Sequence, residues 1–471
     1  MPSIPDITSK KLFIFFILIS ILVVYLLYTY LISEYLREKN FESQFVTNLS
    51  NSNVLNTTNL TNSDCKNIIS NELYLAYLPY GSFHEQRVSL ENAIFLAWAT
   101  NRTLIVPSII FGQQPLPYEP FQLLSETLVN LKHYNETNSK CEWDSKHNQC
   151  IKKVQKNLYT FAKWESLINM EFSQQQIRSI NLESYNLTNI LLVLNITDQT
   201  NEVYIVDDEE IYTHQIYDDV DEKSPSDTKY KSMIHLCSLQ RRNETLLHFG
   251  SLFGTNRLNL KLNDNREFLQ NIRNSLIINH PVLLEKGEEI GLQLGGLASY
   301  IGIHFEQMDD IVGNKETFIN DVIEKLKNQF GIVTQETIHN TSDRIELAPK
   351  LAPRDFQPTL TQMLAEECVQ NSPPEKRNYP IIYFATDSTK SDPKLTRFFE
   401  EFPCVFMLSN FTDWTETLKF ILNPIDNVSL YEFLIPLIDA VVVARSSEFF
   451  GKNESLVSNY IQRLHDYWVG A

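Results

Sequence analysis

The sequence predicts an α/β protein of two parallel-sheet domains carried behind a membrane anchor. Three observations lead there. Short apolar strands alternate with helix-period segments from Glu72 onward, the pattern that builds parallel sheets with helices packed on their faces. Several of those strands end in polar residues, which places chemistry along one sheet edge. An apolar run, Leu12 to Ile32, broken only by Ser20 and Thr29, precedes them all.

That run is about 20 residues, enough to cross a hydrocarbon layer of about 30 Å as a helix. It follows Lys10 and Lys11 and lacks a small-residue cleavage pattern, so it reads as an uncleaved signal anchor, with residues 1–11 as a cytoplasmic tail. All six cysteines, Cys65, Cys141, Cys150, Cys237, Cys368 and Cys404, lie beyond it, with Asn-x-Ser/Thr acceptors such as Asn48, Asn56, Asn59, Asn135, Asn195 and Asn453. Both fit an oxidising lumen, that of the Golgi or endoplasmic reticulum. Cys141 and Cys150 are near enough in sequence for a local bridge, and the other pairings stay open. A net charge of −18 excludes a nucleic-acid partner, because phosphate binding needs a basic face.

The 471 residues suit two domains. Residues 33–71, rich in Asn, Ser and Thr, read as a stem; residues 72–289 form the first domain and 290–471 the second. The first opens with YLPYGSFHEQRVSLENAIFLAWATNRTLIVP, Tyr77 to Pro107. A turn with Pro79 and Gly81 leads into a helix through Val88, Ala93, Leu96 and Ala97, and Thr103 to Val106 is a strand. His84, Glu85, Gln86 and Arg87 fall in the loop or first helical turn, where such units gather ligands.

Phe121 to Leu131 is predicted helical and Ile190 to Leu194 a strand. Glu202 to Val206 is a second strand, followed by Asp207, Asp208, Glu209 and Glu210. Paired carboxylates at a strand end can hold a divalent cation against a diphosphate, or form a solvated acidic loop. Leu246 to Leu258, with two glycines, His248 and Arg257, reads as a compact loop, and Phe268 to Leu284 as one helix. In the second domain Tyr300 to His304, Ile381 to Ala385 and Ala440 to Ala444 read as strands. Their polar ends are His304, Asp387 and Arg445, and helices are expected at Glu316 to Phe330, Leu395 to Phe402 and Tyr460 to Trp468.

The opening stretch resembles protein O-fucosyltransferases, most closely a fungal branch of that group. There a small-residue loop ending in Asn-Gln-Arg opens a helix running to Asn-Arg-Thr and an apolar strand; this chain has Glu85-Gln86-Arg87 and Asn101-Arg102-Thr103. YIGIHFEQMDD is similar to the family's His-x-Arg strand, matching at His304 and Asp309 but carrying Glu306 at the arginine position. IIYFATD, Pro403 to Phe411 and Leu434 to Gly451 resemble its later blocks.

The resemblance implies two facing Rossmann-like domains of GT-B type with the donor in the cleft. It implies inverting transfer of fucose from GDP-fucose to a protein or glycan hydroxyl without a metal. It assigns donor contacts to His304, Asp309, Asp387, Arg445 and Ser455, and a first-loop carboxylate as catalytic base, for which Glu85 is the candidate here, with His84 second. Because a carboxylate at 306 repels a diphosphate, Arg87, Arg257 and Arg445 are the candidates to supply the missing charge. Two alternatives stand beside this reading: a non-catalytic lumenal binding protein on the same fold, and a metal-dependent glycosyltransferase using Asp207 and Asp208.

Overall fold

The computed structural model describes residues 72–112, 114–138, 141–144, 149–152, 159–181, 185–219, 221–222, 224–306, 315–332 and 364–470. The expected tail, anchor and stem (residues 1–71) and Asp309 lie outside them, as do the side chains of Cys141 and Cys150. Among the described residues no helix is long and apolar enough to cross a membrane.

The first lobe is built on five parallel strands: β1 (Tyr74–Tyr77), β2 (Thr103–Val106), β3 (Ser179–Asn181), β4 (Val203–Val206) and β5 (Leu246–Phe249), in the order β3-β2-β1-β5-β4. Leu75, Leu104 and Leu247 on its central strands are fully buried, as continuous apolar strands between helical layers require. β5 corrects the expected loop at Leu246–Leu258: the glycines that suggested a loop, Gly250 and Gly254, lie just past the strand. The stretch Ile190–Leu194, expected as a strand, lies in a helix, Leu187–Val193, capped by Asn186.

Helix α1 (Phe83–Thr100) follows β1 and is buried along almost its whole length. It starts at Ser82, whose backbone N–H donates to Glu85 Oε2 at 2.6 Å, and stops at Asn101 in the left-handed conformation, φ 52°. The predicted single helix at Phe268–Leu284 is two, α2 (Asn263–Ser275) and α3 (Pro281–Gln293). Pro281 explains the break, since it opens a helix readily and disfavours helical geometry in the residue before it.

The second lobe holds four parallel strands, β6 (Ile301–Phe305), β7 (Ile382–Thr386), β8 (Val405–Phe406) and β9 (Glu448–Phe450), in the order β8-β7-β6-β9. Helices α4 (Lys315–Gln329) and α5 (Pro393–Glu401) occur where expected. Ala440–Ala444 is not a strand. It is the end of helix α6 (Tyr431–Ala444), and from Ala440 to Ala444 every residue is apolar and buried, which hides the helical period there. The true fourth strand is β9.

The expected domain boundary at 289/290 falls inside α3, which packs on α6: a Cβ on Gly287 would lie 2.4 Å from Val441 Cγ1. Helix α7 (Leu456–Trp468) then returns to the first lobe, where the Tyr460 hydroxyl donates to the Leu276 carbonyl at 3.0 Å. Asn423 reaches across in the same way, its Nδ2 donating to the Phe161 carbonyl at 2.8 Å. One apolar core, from Leu75 to Leu464, runs through both lobes. A disulfide, Cys368–Cys404, with Cα atoms 5.8 Å apart, ties the helix Leu364–Asn371 to the start of β8.

Gly302 on β6 tests the fit of sheet to helix, because a Cβ there would meet the Val443 carbonyl and Ser446 Oγ, each at 2.6 Å. Gly302→Ala is expected to cost about 1–3 kcal/mol. The urea midpoint should fall with an unchanged m-value.

Candidate functional site

The strand order of each sheet reverses at one point, between β1 and β5 in the first lobe and between β6 and β9 in the second. Crevices outside the carboxyl ends of strands open at such points. In the second lobe that crevice is formed by the end of β6 and the start of α7. His304, on β6, is buried, and its Nδ1 lies 2.8 Å from Ser458 Oγ in the first turn of α7. Its Nε2 is 3.6 Å from Glu306 Oε1. Ser455 is the cap of α7, its hydroxyl accepting from the Ser458 N–H at 3.2 Å. The strand end, the helix start and both serines are thus one hydrogen-bonded unit.

Beside it a cavity of about 470 Å³ opens at the carboxyl ends of β7 and β8, lined by Thr386, Ser388, Lys390, Ser409 and Asp439. Asp439 comes from α6 and accepts from the Tyr383 hydroxyl at 2.6 Å. Burial pushes its carboxyl up to about 7, against the downward pull of that hydrogen bond and of His304. Asp387 is exposed just past the end of β7, next to this cavity.

From the first lobe, α1 presents His84 to this edge. Its ring packs edge-on against Tyr460 of α7, centroids 5.4 Å apart, and its buried Nδ1 has no partner among the described residues. Burial first, then Arg87, His304 and Arg463, hold its imidazole well below the ordinary histidine value. His84 and His304, from opposite lobes, therefore share one electrostatic environment.

The other candidates are placed differently. Glu85 closes the cap of its own helix, and it stands against Gly81, φ 81°, where a Cβ would come within 2.5 Å of its Oε2. Arg87 is fully buried and paired with Glu91, with Tyr460's ring 4.3 Å from its guanidinium carbon. Burial pulls it down to about 10, against Glu91, so it stays a cation but does not line the cleft. Arg257 is buried too. It donates to the carbonyls of Phe253 at 3.0 Å, His214 at 2.7 Å and Ile211 at 2.5 Å, and lies 3.4 Å from Asp208 Oδ1. It clamps the polypeptide after β4 rather than facing a ligand.

Arg445, expected at the end of a strand, follows a helix instead. As the cap of α6 it sits at the amino edge of the second sheet, next to Tyr300 and opposite His304's end, and its Nη1 donates to the Leu284 carbonyl at 3.3 Å. The Asp207–Asp208 pair is equally committed. Asp207 accepts from the Phe121 N–H at 3.4 Å, and Asp208 is buried beside Arg257 with its carboxyl pushed up to about 7 by burial. A buried acid that resists ionisation is a poor cation ligand. His248, on β5, packs edge-on against Phe121 at 4.9 Å and is pushed down to about 4 by burial. It is a core residue.

The structure thus gathers His84, His304, Ser455 and Asp387 and disperses the three arginines. Sequence reasoning missed Ser458 and Asp439. Their signals were a second serine three residues into a capped helix and a lone carboxylate in an apolar run, YEFLIPLIDAVVVA.

Fold and site define a two-lobed α/β protein with a polar cleft where the carboxyl edges of two parallel sheets meet. No family model matches the chain, and no curated protein matches it. Among solved structures it is similar to POFUT1 in complex with GDP, at a TM-score of 0.38 and 10% identity over 84% of this chain and 95% of that one. It is similar also to POFUT1 in complex with GDP-fucose, at 0.35 and 10% over the same shares.

Asp439 gives the site a testable pH dependence. Its folded value is raised above the unfolded value of about 3.9, so it binds protons more tightly when folded, and its contribution to stability falls as pH rises from about 4 to 7. Asp439→Asn keeps an acceptor for Tyr383 and should be more stable than wild type at pH 7. That advantage should vanish as pH falls toward 4, read by urea unfolding across the range.

Proposed function

We propose that this chain is a glycosyltransferase of the O-fucosyltransferase kind, moving fucose from GDP-fucose to a protein or glycan hydroxyl with inversion. In this reading residues 12–32 anchor it in the Golgi or endoplasmic reticulum membrane with the two lobes in the lumen. One observation carries it: hydroxyl and imidazole groups from both lobes, His84, His304, Ser455 and Ser458, meet where the second sheet changes direction.

A diphosphate placed there meets the first-turn N–H groups of α7, the positive end of that helix. The base and ribose then extend over Thr386, Asp387 and Asp439, whose oxygens suit N–H and O–H donors. For the acceptor proton, His84 replaces Glu85 as first candidate, because Glu85's carboxylate is occupied in its own cap. His84 is neutral when the cleft is empty, and a bound diphosphate raises its basicity by charge attraction. No step in this scheme uses a metal.

A second reading, a non-catalytic lumenal binding protein on the same fold, is favoured by Glu306. Its carboxylate stands 3.6 Å from His304, and Arg87, Arg257 and Arg445 are all held elsewhere. Titration of the full-length protein in detergent with GDP, followed by a fucose-transfer assay, separates the two. Binding with turnover that survives chelation of divalent metals supports transfer. Binding without turnover supports the second reading, and no heat at millimolar GDP sinks the first. Glu306→Arg should tighten GDP by about tenfold, ~1.4 kcal/mol, by replacing repulsion with a charge-assisted contact. Unchanged affinity would place the diphosphate away from β6.

A further inference from the structure

Three non-glycine residues in the left-handed conformation are asparagines that open Asn-x-Ser/Thr triplets: Asn101 (φ 52°), Asn195 (φ 55°) and Asn427 (φ 56°). The backbone alone accounts for asparagine at such positions, since asparagine tolerates left-handed geometry better than most residues. Something else distinguishes two of them. Of the eight large apolar side chains most exposed among the described residues, four flank Asn195 or Asn427.

Leu192 and Val193, 72% and 63% exposed, end the helix Leu187–Val193, and the chain turns at Asn195 immediately after them. The turn is closed by the Asn195 N–H donating to the Leu192 carbonyl at 3.1 Å and the Ile196 N–H to the Leu191 carbonyl at 2.9 Å. Asn195 and Thr197 are both exposed. Ile425, 53% exposed, lies two residues before the exposed Asn427. Phe420, 40% exposed, lies beside the same triplet, because Leu422 pairs with Ser429 and Ser429 Oγ donates to the Lys419 carbonyl at 3.1 Å.

Other triplets differ. Asn186 and Asn410 use their side-chain oxygens on the N–H groups of Thr188, at 2.8 Å, and Met407, at 2.9 Å. Asn243 and Asn453 are exposed, but each stands between charged residues and none of those eight exposed apolar side chains flanks it in sequence.

We propose that Asn195 and Asn427 carry N-linked glycans that shelter these two apolar patches. The inference rests on the lumenal placement of the lobes, which the Cys368–Cys404 disulfide favours. In the reaction the side-chain nitrogen of asparagine bonds to the first sugar carbon of a lipid-diphosphate-linked oligosaccharide. The bond from that carbon to the diphosphate oxygen breaks, the lipid diphosphate leaves, and one amide proton passes to a base. A bulky polar chain at an exposed turn then covers hydrocarbon that a soluble surface leaves open to association.

The test is glycopeptide mass spectrometry on the full-length protein from a eukaryotic secretory host, with enzymatic deglycosylation in heavy-oxygen water to mark each former glycan site as Asp. The peptides holding Asn195 and Asn427 should both carry the mark. Asn195→Gly and Asn427→Gly keep left-handed backbone and remove the acceptor, so each should lose one glycan, keep its melting temperature and self-associate more readily. If Asn48, Asn56 or Asn59 is marked while either peptide is wholly bare, the assignment fails and the lumenal placement stands. If no triplet in the chain is marked, both fail. Glycine variants that lose the glycan without any gain in self-association overturn the sheltering role.

Discussion

The relation between the two lobes turns on the carboxylate of Glu91. It is buried on α1 and holds three guanidinium groups, Arg87 from its own helix, Arg273 of α2 at 3.4 Å and Arg463 of α7 at 2.8 Å. Burial pushes that carboxyl up and the three cations pull harder, so it is held below its ordinary value. Its contribution to stability is present above the unfolded value of about 4.3 and is lost as pH falls below it. Removing one member of a buried ion cluster leaves uncompensated charge, at about 3–5 kcal/mol. Helix α7 is therefore held from both lobes: Arg463 and Tyr460, in its middle, dock on the first lobe, while Ser455 and Ser458, at its start, sit at the strand edge of the second. Two residues of that one helix thus touch both histidines, Tyr460 packing on His84 and Ser458 lying 2.8 Å from His304.

Much of this fold was legible where local pattern and tertiary role agree. The β1–α1–β2 unit, β6, β7 and α7 all stand where turn residues, periodicity and strand length placed them. The failures have three separate causes. Val441, Val442 and Val443 have strong strand propensity, yet α6 lies between α3, α7 and the second sheet, and its last five residues, buried on every side, show no helical period. β5 failed in the opposite sense, because Gly250 and Gly254 follow it so closely that they masked four central-strand residues. Ile190–Leu194 shows a third confusion, an apolar stretch short enough to be read either way.

The site was legible by position more than by role. Polar residues at strand ends pointed to His304 and Asp387, and the family resemblance pointed to Ser455, whose place as the cap of α7 only the structure shows. The arginines misled because a guanidinium says nothing about its partner. Arg87 had an acid four residues on, the spacing of a helical ion pair, and that pair is what formed. Arg257 has no such local sign, since His214, Ile211 and Asp208 lie more than forty residues away in sequence.

What remains in the cleft is a polar surface with few cations. His84 is neutral, Asp439 is raised to about 7, and the groups nearest His304 are a serine hydroxyl and the carboxylate of Glu306. Helix amides can hold a diphosphate in such a place, and they hold donor and product alike. Transfer asks for more, because the leaving diphosphate gains a further unit of negative charge as the sugar bond breaks, and catalysis depends on what strengthens during that change. A carboxylate at 4 Å opposes each unit of charge by about 1 kcal/mol even in bulk water, and by more in a cleft of lower dielectric. Glu306 therefore weighs on the transition state more than on the bound donor. In the proposed reading, residue 306 is therefore the position at which donor binding and transfer can be separated.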